Sequence, residues 1–329
     1  MRRFGALLAA GLLAGTLAAC GGTETQEMES AQAFAMDTVM VLTAGGGETG
    51  TALQTAQEEL YRLDRELSRT REDSAVSRLN SAPAGTAEDV GEELYGLIAQ
   101  ALTFSAATDG AFDITLAPVS SAWGFTEDAY RVPGQEELDA LLTHVGADHV
   151  HLEGGTSVSL DQGTQIDLGA IAKGYASDVV ASIYQENGVA HGTVYLGGNT
   201  WVCGGNPEGD PWRIGVQDPA RAEEAEAYTG ILRMTDGFAV TSGGYQRYYT
   251  APDGTVYQHI LDPKTGYPVE SDLLSVSILC DNGTMADAYS TALYVMGSAG
   301  AQAFWRTHGG FEMILITTAG QVLYTPGLS

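Results

Sequence analysis

"QRYYTAPDGTVYQHIL", residues 246–261, reads as two short strands folded back on each other around Pro252-Asp253-Gly254. Aromatic and β-branched residues flank a turn in which proline fixes φ and glycine accepts the left-handed region. A hairpin makes its strands antiparallel, since parallel neighbours need a long crossover between them. Further strand-like runs lie on either side: "TVYLGG", "WRIGVQD", "GILRM", "FAVTSG" and "LLSVSILC", then a closing hairpin of "FEMILIT" and "QVLYT" across "TAG". So many strands in succession do not build a doubly wound sheet. They predict an α+β chain, mostly antiparallel, with helices packed on it and two interleaved subdomains.

The first half supplies the helices. After an opening strand in "AMDTVMVLTA", Leu53, Ala56, Leu60, Leu63 and Leu67 recur at helical spacing over 51–69, and one face belongs to a core. A second helix is expected over 87–107, a short one at "EELDALLTHVG", then brief strands "HVHL", "SVSL" and "QIDL". Helices follow over 170–185 and 285–296, with a shorter one around "AFWRTH".

Composition restricts function. Charged residues make up 17%, below the usual ~25%, and 42 acids against 15 bases give a net charge of −27. A nucleic-acid partner is disfavoured because nothing offsets phosphate repulsion, and so is an electrostatic grip on anionic lipid. A phosphate-bearing ligand would need a cation or oriented backbone amides. At the N-terminus, Arg2 and Arg3 precede the apolar run "FGALLAAGLLAGTLAA", which closes on "LAAC". This pattern predicts a signal peptide over 1–19, lipidation of Cys20, the alternative being an ordinary signal peptide with an incidental cysteine, then a flexible tether over 20–33 and a folded domain over 34–329. The expected location is the extracytoplasmic face of the cell membrane, held by the lipid. Cys203 and Cys280 remain, either paired or as two buried free thiols.

Five stretches carry possible chemistry. "GGGETG", residues 45–50, satisfies a dinucleotide-binding pattern, but Glu48 would stand where pyrophosphate approaches and no second parallel unit follows. It is read as a glycine-rich strand-to-helix loop. "TDGAFDITLAPVSSAWGF", 108–125, is either a helix end followed by a packed strand and turn, or a ligand wall where Gly110 and Ala111 admit a flat ring. In "IDLGAIAKGYASD", 166–178, a strand ending at Asp167 and Leu168 turns at Gly169 into a helix. Lys173 then sits one turn in, at the end where a cation is unfavourable unless an anion joins it; it is either a partner for such an anion or a solvated lysine. "MADAYSTALYVMG", 285–297, sets Asp287 and Thr291 one helical turn apart, a hard-oxygen pair suited to magnesium that water and phosphate would complete. The simpler reading makes Asp287 a first-turn acid. Finally, "YQHILDPKTGYP", 257–268, holds His259 beside a pinned turn.

In this order the motifs resemble the ApbE family, the FAD:protein FMN transferases, from about Phe34 to near the C-terminus. The matching pieces are "MDT", "SRTREDSAVSRLN", "TDGAFDITLAPVSSAWGF", "IDLGAIAKGYASD", "YLGGN", "WRIGVQDP", "VTSGGYQRYY", "HILDPKTGYPV" and "ADAYSTALYVMG". The resemblance implies an ApbE-like, T-fold-like architecture. It implies binding of FAD as substrate with Mg2+, and transfer of FMN to a threonine or serine hydroxyl with release of AMP. The acceptor would be a subunit of a membrane redox complex or an extracytoplasmic flavoprotein. By matching motif, Met36 and Thr70 would meet the flavin, and Ala111, Phe112 and Asp113 would line the FAD cleft. Asp167 would hold a polar part of the nucleotide near Lys173, and Leu261 would contribute backbone contact. Magnesium would be held by the Ala170 carbonyl, Asp287 and Thr291, with Ser290 assisting. His259 would deprotonate or orient the acceptor hydroxyl, or else contact adenine or the turn without a proton role. Three positions depart from the family pattern: Asp37 replaces a frequent glycine, Gly244 a frequent acid, and Thr70 an aromatic. Two other activities fit the same residues: hydrolysis of FAD to FMN and AMP, and flavin binding without catalysis.

Overall fold

The computed structural model describes residues 27–126, 129–224 and 226–328. The signal peptide and Cys20 lie outside the described residues. The chain opens with strands β1 (Glu29–Ala35) and β2 (Thr38–Gly45), then helices α1 (Thr49–Leu67) and α2 (Ala75–Ser81). Strand β3 (Glu88–Asp89), helices α3 (Gly91–Ala107), α4 (Ala117–Trp123) and α5 (Gln135–Leu142), and strands β4 (Val150–Gly154) and β5 (Ser157–Leu160) follow. Helix α6 (Ala172–Glu186) leads to β6 (His191–Leu196), β7 (Asn199–Cys203), β8 (Trp212–Gln217), β9 (Tyr228–Met234) and β10 (Gly237–Gly243). The remainder is β11 (Tyr248–Thr250), β12 (Val256–Gln258), β13 (Leu273–Cys280), α7 (Gly283–His308), β14 (Glu312–Thr317) and β15 (Val322–Tyr324). Among these described helices none is long and apolar enough to cross a membrane.

Eight strands form one sheet in the order β1-β2-β6-β7-β10-β13-β14-β15, and every neighbouring pair is antiparallel. The α+β expectation therefore holds. Antiparallel partners on both sides of β2 also remove the parallel unit a dinucleotide fingerprint needs. Gly47 has φ +59°, and a Cβ there would lie 2.3 Å from the Asn187 carbonyl, so "GGGETG" is a close-packed loop.

Helices α1, α6 and α7 cover one face of the sheet. Their apolar stripes meet Met40, Leu42, Val194, Val240, Val276 and Leu315, all buried, in the main core. Each fully buried leucine of α1 contributes about 1.5–3 kcal/mol. On the other face the β8–β9 ribbon covers Ala239, Leu279, Ile314 and Ile316. A separate small core of Val119, Trp123, Phe125, Leu138 and Leu261 joins α4 and α5 to the β11–β12 hairpin, and Trp123 Nε1 donates to the Gly266 carbonyl at 2.8 Å.

Several expectations change. The tether expected over 20–33 overlaps β1, because residues from Glu29 pair with β2 in register. No strand forms in 108–125: Asp113 accepts from Thr115 N as a cap, and Pro118 favours the start of α4. "QIDL" is not a strand either, since the Asn80 side chain takes the partner's place, bonding both the N–H and the carbonyl of Ile166. The expected helices over 285–296 and around "AFWRTH" form one run, α7, broken at Gly297 with φ +71°. Cys203 and Cys280 are free. They sit on β7 and β13 with β10 between them, about 9–10 Å by strand spacing, beyond disulfide reach.

Candidate active site

A cleft of about 480 Å³ opens between the main core and the small core. The division runs through the chain at two places. Phe112 and Ile114 belong to the main core, whereas Val119 and Trp123 belong to the small one. Ile260 and Leu261, consecutive in sequence, likewise face different cores. His259 stands just before that divide.

Met36, Thr70, Ala111, Phe112, Asp113, Asp167, Ala170, Lys173, His259, Leu261, Asp287 and Thr291 all line the cleft. Ser290 does not. It is fully buried, donating to the Asp287 carbonyl at 2.9 Å and lying 2.7 Å from the Ser242 hydroxyl. The assisting role expected of Ser290 is therefore not that of a cleft-lining oxygen, because its hydroxyl faces the strand packed beneath the helix.

Asp287 is 3% exposed. Burial pushes its carboxyl above the ordinary carboxylate range, opposed by the Lys173 charge and by Gly174 N–H, which donates to Asp287 Oδ2 at 2.8 Å. Gly174 belongs to the first turn of α6, so its N–H goes to α7 rather than back to the Ala170 carbonyl. The helices approach this closely because residue 174 has no side chain: a Cβ would lie 2.3 Å from the Gly283 carbonyl. Asp178 fixes the start of α7, accepting from Gly283 N at 2.7 Å and Thr284 N at 2.8 Å. Asp287, Thr291 and Ala170 line the cleft together, with one Asp287 oxygen not engaged by the Gly174 N–H. Asn199 lies beside them, 1% exposed, and favours the charged form of Asp287. Its buried Nδ2 nonetheless makes no hydrogen bond of ordinary geometry. One buried carboxylate whose charge is disfavoured, neutral oxygens and an orphaned donor fit a small hard cation with a phosphate. Among the described residues no three His, Cys, Asp or Glu cluster to hold a metal by themselves.

His259 lies past β12, its N–H and its Nδ1 both directed to the Arg247 carbonyl, the latter at 3.0 Å. A carbonyl only accepts, so the proton is on Nδ1 and Nε2 keeps its lone pair. Burial, with the nearby Lys173 and Arg247 charges, lowers this imidazole to about 4. It is neutral at pH 7 and able to accept. The turn after it is tied by Gly266 N and Lys264 N, which donate to the Asp262 carbonyl and side chain.

The opposite wall holds an ion pair: Arg69 Nε lies 2.8 Å from Asp167 Oδ2, while Asp167 Oδ1 accepts from Gly169 N. Asp113, raised by burial, spends Oδ1 on Thr115 N and the Thr115 hydroxyl. Met36 and Asp37 form the two-residue turn between β1 and β2, with φ +48° and +59°. Met36 N donates to Asp64 Oδ1 at 2.6 Å, and Asp37 lies 3.6 Å from Arg247 across the mouth.

The ApbE family is matched across residues 36–315. The chain belongs to the ApbE family. It is 32% identical to the FAD:protein FMN transferase of Escherichia coli over 82% of this chain and 77% of that protein. With the FAD:protein FMN transferase of Treponema pallidum it shares 31% identity over 94% and 90%. The crystal structure of the ApbE protein from Thermotoga maritima superposes with a TM-score of 0.84 at 33% identity, covering 92% of this chain and 98% of that one. The flavinyl transferase ApbE of Pseudomonas stutzeri gives 0.80 at 31%, over 91% and 94%.

Two of the positions expected from the resemblance to depart from the family pattern have local features of note. Asp37 stands in the left-handed region, where aspartate is among the few tolerated replacements for glycine. At Gly244 a Cβ would lie 2.7 Å from the Tyr294 hydroxyl, so Tyr294 fills the space an acid would need. Thr70 is exposed at the rim, and its hydroxyl lies 3.1 Å from that of Ser68. Arg69, Asn199, Ser242 and Arg247 line the site but had no role assigned from sequence. Their signal was present in "SRTREDS", "YLGGN" and "VTSGGYQRYY"; only the fold shows which residue of each motif faces inward.

Proposed function

We propose that this ApbE family member transfers FMN from FAD to a threonine or serine hydroxyl of an acceptor protein, in a magnesium-dependent reaction that releases AMP. The observation that carries the reading is the meeting, in one cleft, of an unprotonated His259 Nε2 with the oxygens of Ala170, Asp287 and Thr291. The relatives named as FAD:protein FMN transferases support the substrate pair.

In this mechanism the acceptor O–H lies against His259 Nε2, which receives or shares its proton as the oxygen attacks the FMN phosphorus. A new P–O bond forms to the hydroxyl oxygen. The bond to the bridging oxygen breaks, and AMP leaves with the electron pair. An imidazole at about 4 is a weak base alone, but the negative charge of a bound pyrophosphate raises it. Lys173 offsets charge on the departing phosphate, and the Asn199 amide can donate to a phosphate oxygen. Asp287, Thr291 and the Ala170 carbonyl would hold Mg2+, which supplies electrostatic stabilisation of the developing phosphate charge. The ring system would lie towards Phe112 and Met36, where the wall is apolar.

The N-terminal pattern supports attachment by lipid at Cys20 on the extracytoplasmic face, so the acceptor is proposed to be a membrane redox subunit or an extracytoplasmic flavoprotein; Cys20→Ala should leave the membrane fraction. The activity is tested by incubating the protein with FAD, MgCl2 and an acceptor fragment bearing a candidate threonine. Mass spectrometry should find an FMN phosphoester on the fragment and one AMP per transfer. FMN found only free in solution would make the protein a pyrophosphatase, and bound FAD without AMP would make it a binder.

A further inference from the structure

Beneath the cleft runs a chain of three hydroxyls. Ser290 Oγ lies 2.9 Å from the Asp287 main-chain oxygen, Ser242 Oγ lies 2.7 Å from Ser290 Oγ, and Thr291 Oγ1 lies 3.2 Å from Ser242 Oγ. Each hydroxyl has one proton and the chain ends on a carbonyl, which can only accept. Ser290 therefore donates to Asp287 and accepts from Ser242. With its own proton spent, Ser242 accepts from Thr291. Thr291 then points its proton down into the protein and its lone pairs into the cleft.

We propose that Ser242, on strand β10, is a positioning residue that orients the Thr291 hydroxyl as a cation ligand, with Ser290 fixing the direction of the chain. The inference rests on the magnesium site of the proposed function. Without an acceptor at Ser242, the Thr291 proton is free to turn towards the cleft, where it would face a cation. The lone-pair direction is then no longer held. Ser242 and Ser290 are buried, 9% and 0% exposed, so solvent does not easily replace either partner. Gly243 and Gly244 follow Ser242 directly, and a Cβ at Gly244 would lie 2.7 Å from the Tyr294 hydroxyl of α7, so the chain leaving β10 meets that helix without a spacer side chain.

The test counts Mn2+ bound to the full-length protein by electron paramagnetic resonance, alone and with ADP as pyrophosphate probe. Outer partners of metal ligands typically change affinity about ten- to a hundred-fold. Ser242→Ala should weaken Mn2+ binding by about ten-fold in that range, and Ser242→Thr should restore it. In a double-mutant cycle, Ser242→Ala should cost nothing further once Thr291→Val has removed the ligand. A merely structural role predicts additive losses and no rescue by threonine, and either result overturns the proposal. Asp287→Ala separates the two levels of inference. If it leaves Mn2+ binding intact, the cation site itself is wrong and the relay falls with it. If it abolishes binding while Ser242→Ala does not weaken it, the site stands and the relay alone fails.

Discussion

His259 shows how position within a fold sets the chemistry of one residue. In sequence it is an imidazole of ordinary character near an apolar pair. In the fold it gives Nδ1–H to the Arg247 carbonyl and is lowered to about 4 by burial and two neighbouring cations. The folded-state value lies below that of a free imidazole, about 6.5, so the unfolded chain binds the proton first. The neutral ring's contribution is therefore full above about pH 6.5 and is lost as pH falls towards 4. Wild type should lose about 1–3 kcal/mol relative to His259→Gln across that window, with the difference constant at higher pH. Urea unfolding of both proteins between pH 4 and 8 measures it. A difference that does not vary with pH would mean that the ring is solvated rather than buried. The same residue scale marks where sequence reading was incomplete. Asp287 and Thr291 were visible as an oxygen pair one turn apart, but Ser290, between them, points at Ser242 across the helix–strand packing. A spacing rule along one helix carries no information about the strand below it.

At the scale of elements, the site depends on α6 and α7 lying almost backbone to backbone. Gly174→Ala would put a Cβ 2.3 Å from the Gly283 carbonyl and 2.6 Å from Asp287 Cβ, so the helices must separate. Overpacking of this kind costs about 1–3 kcal/mol. Transfer activity should fall further than that loss implies, because Asp287 moves with α7. Gly96→Ala, inside α3 with nothing within 4 Å, is the control. It should be neutral or stabilise by about 0.4–1 kcal/mol. Denaturant midpoints and FMN transfer, measured on both variants, separate the effects; equal behaviour would mean that the α6–α7 contact does not control the site. The elements themselves were largely legible. Apolar periodicity located α1, α6 and most of the strands, and turn chemistry located the β11–β12 hairpin. The misreadings have two causes, a tertiary partner in one case and local turn chemistry in the others. Asn80 satisfies Ile166 in place of a strand, and Asp113 caps a turn that reads as extended. β1 exists because β2 offers its edge. Only Asn80 is distant in sequence from the residue it serves; the other two partners lie within a few residues, in a local cap and a tight hairpin.

Across the whole molecule, the excess of acids acts against the compact state. A net charge of −27 is spread over a chain with only 15 bases, and three of those, Arg69, Lys173 and Arg247, line the cleft. The remaining surface is correspondingly short of cations. Exposed pairs such as Arg131–Glu137 contribute little to stability, whereas repulsion among unpaired acids sums over long distances at low salt. The screening length falls from about 30 Å at 0.01 M to about 8 Å at 0.15 M, so salt should relieve the repulsion more than it weakens the pairs. With EDTA present to keep cations off Asp287, the melting midpoint should rise by roughly 2–5 °C between about 0.01 and 0.2 M NaCl, about 1 kcal/mol or slightly more for a domain of this order. On the proposed function FAD binding should respond in the opposite direction, because its phosphates would lie against Lys173 and screening would weaken that attraction. A midpoint that falls with NaCl would show that ion pairs, led by the Arg62–Glu93 fork between α1 and α3, outweigh the repulsion. In that case the stability of the sheet-and-helix layer would depend on its few bases, and not on apolar burial working against an acidic surface.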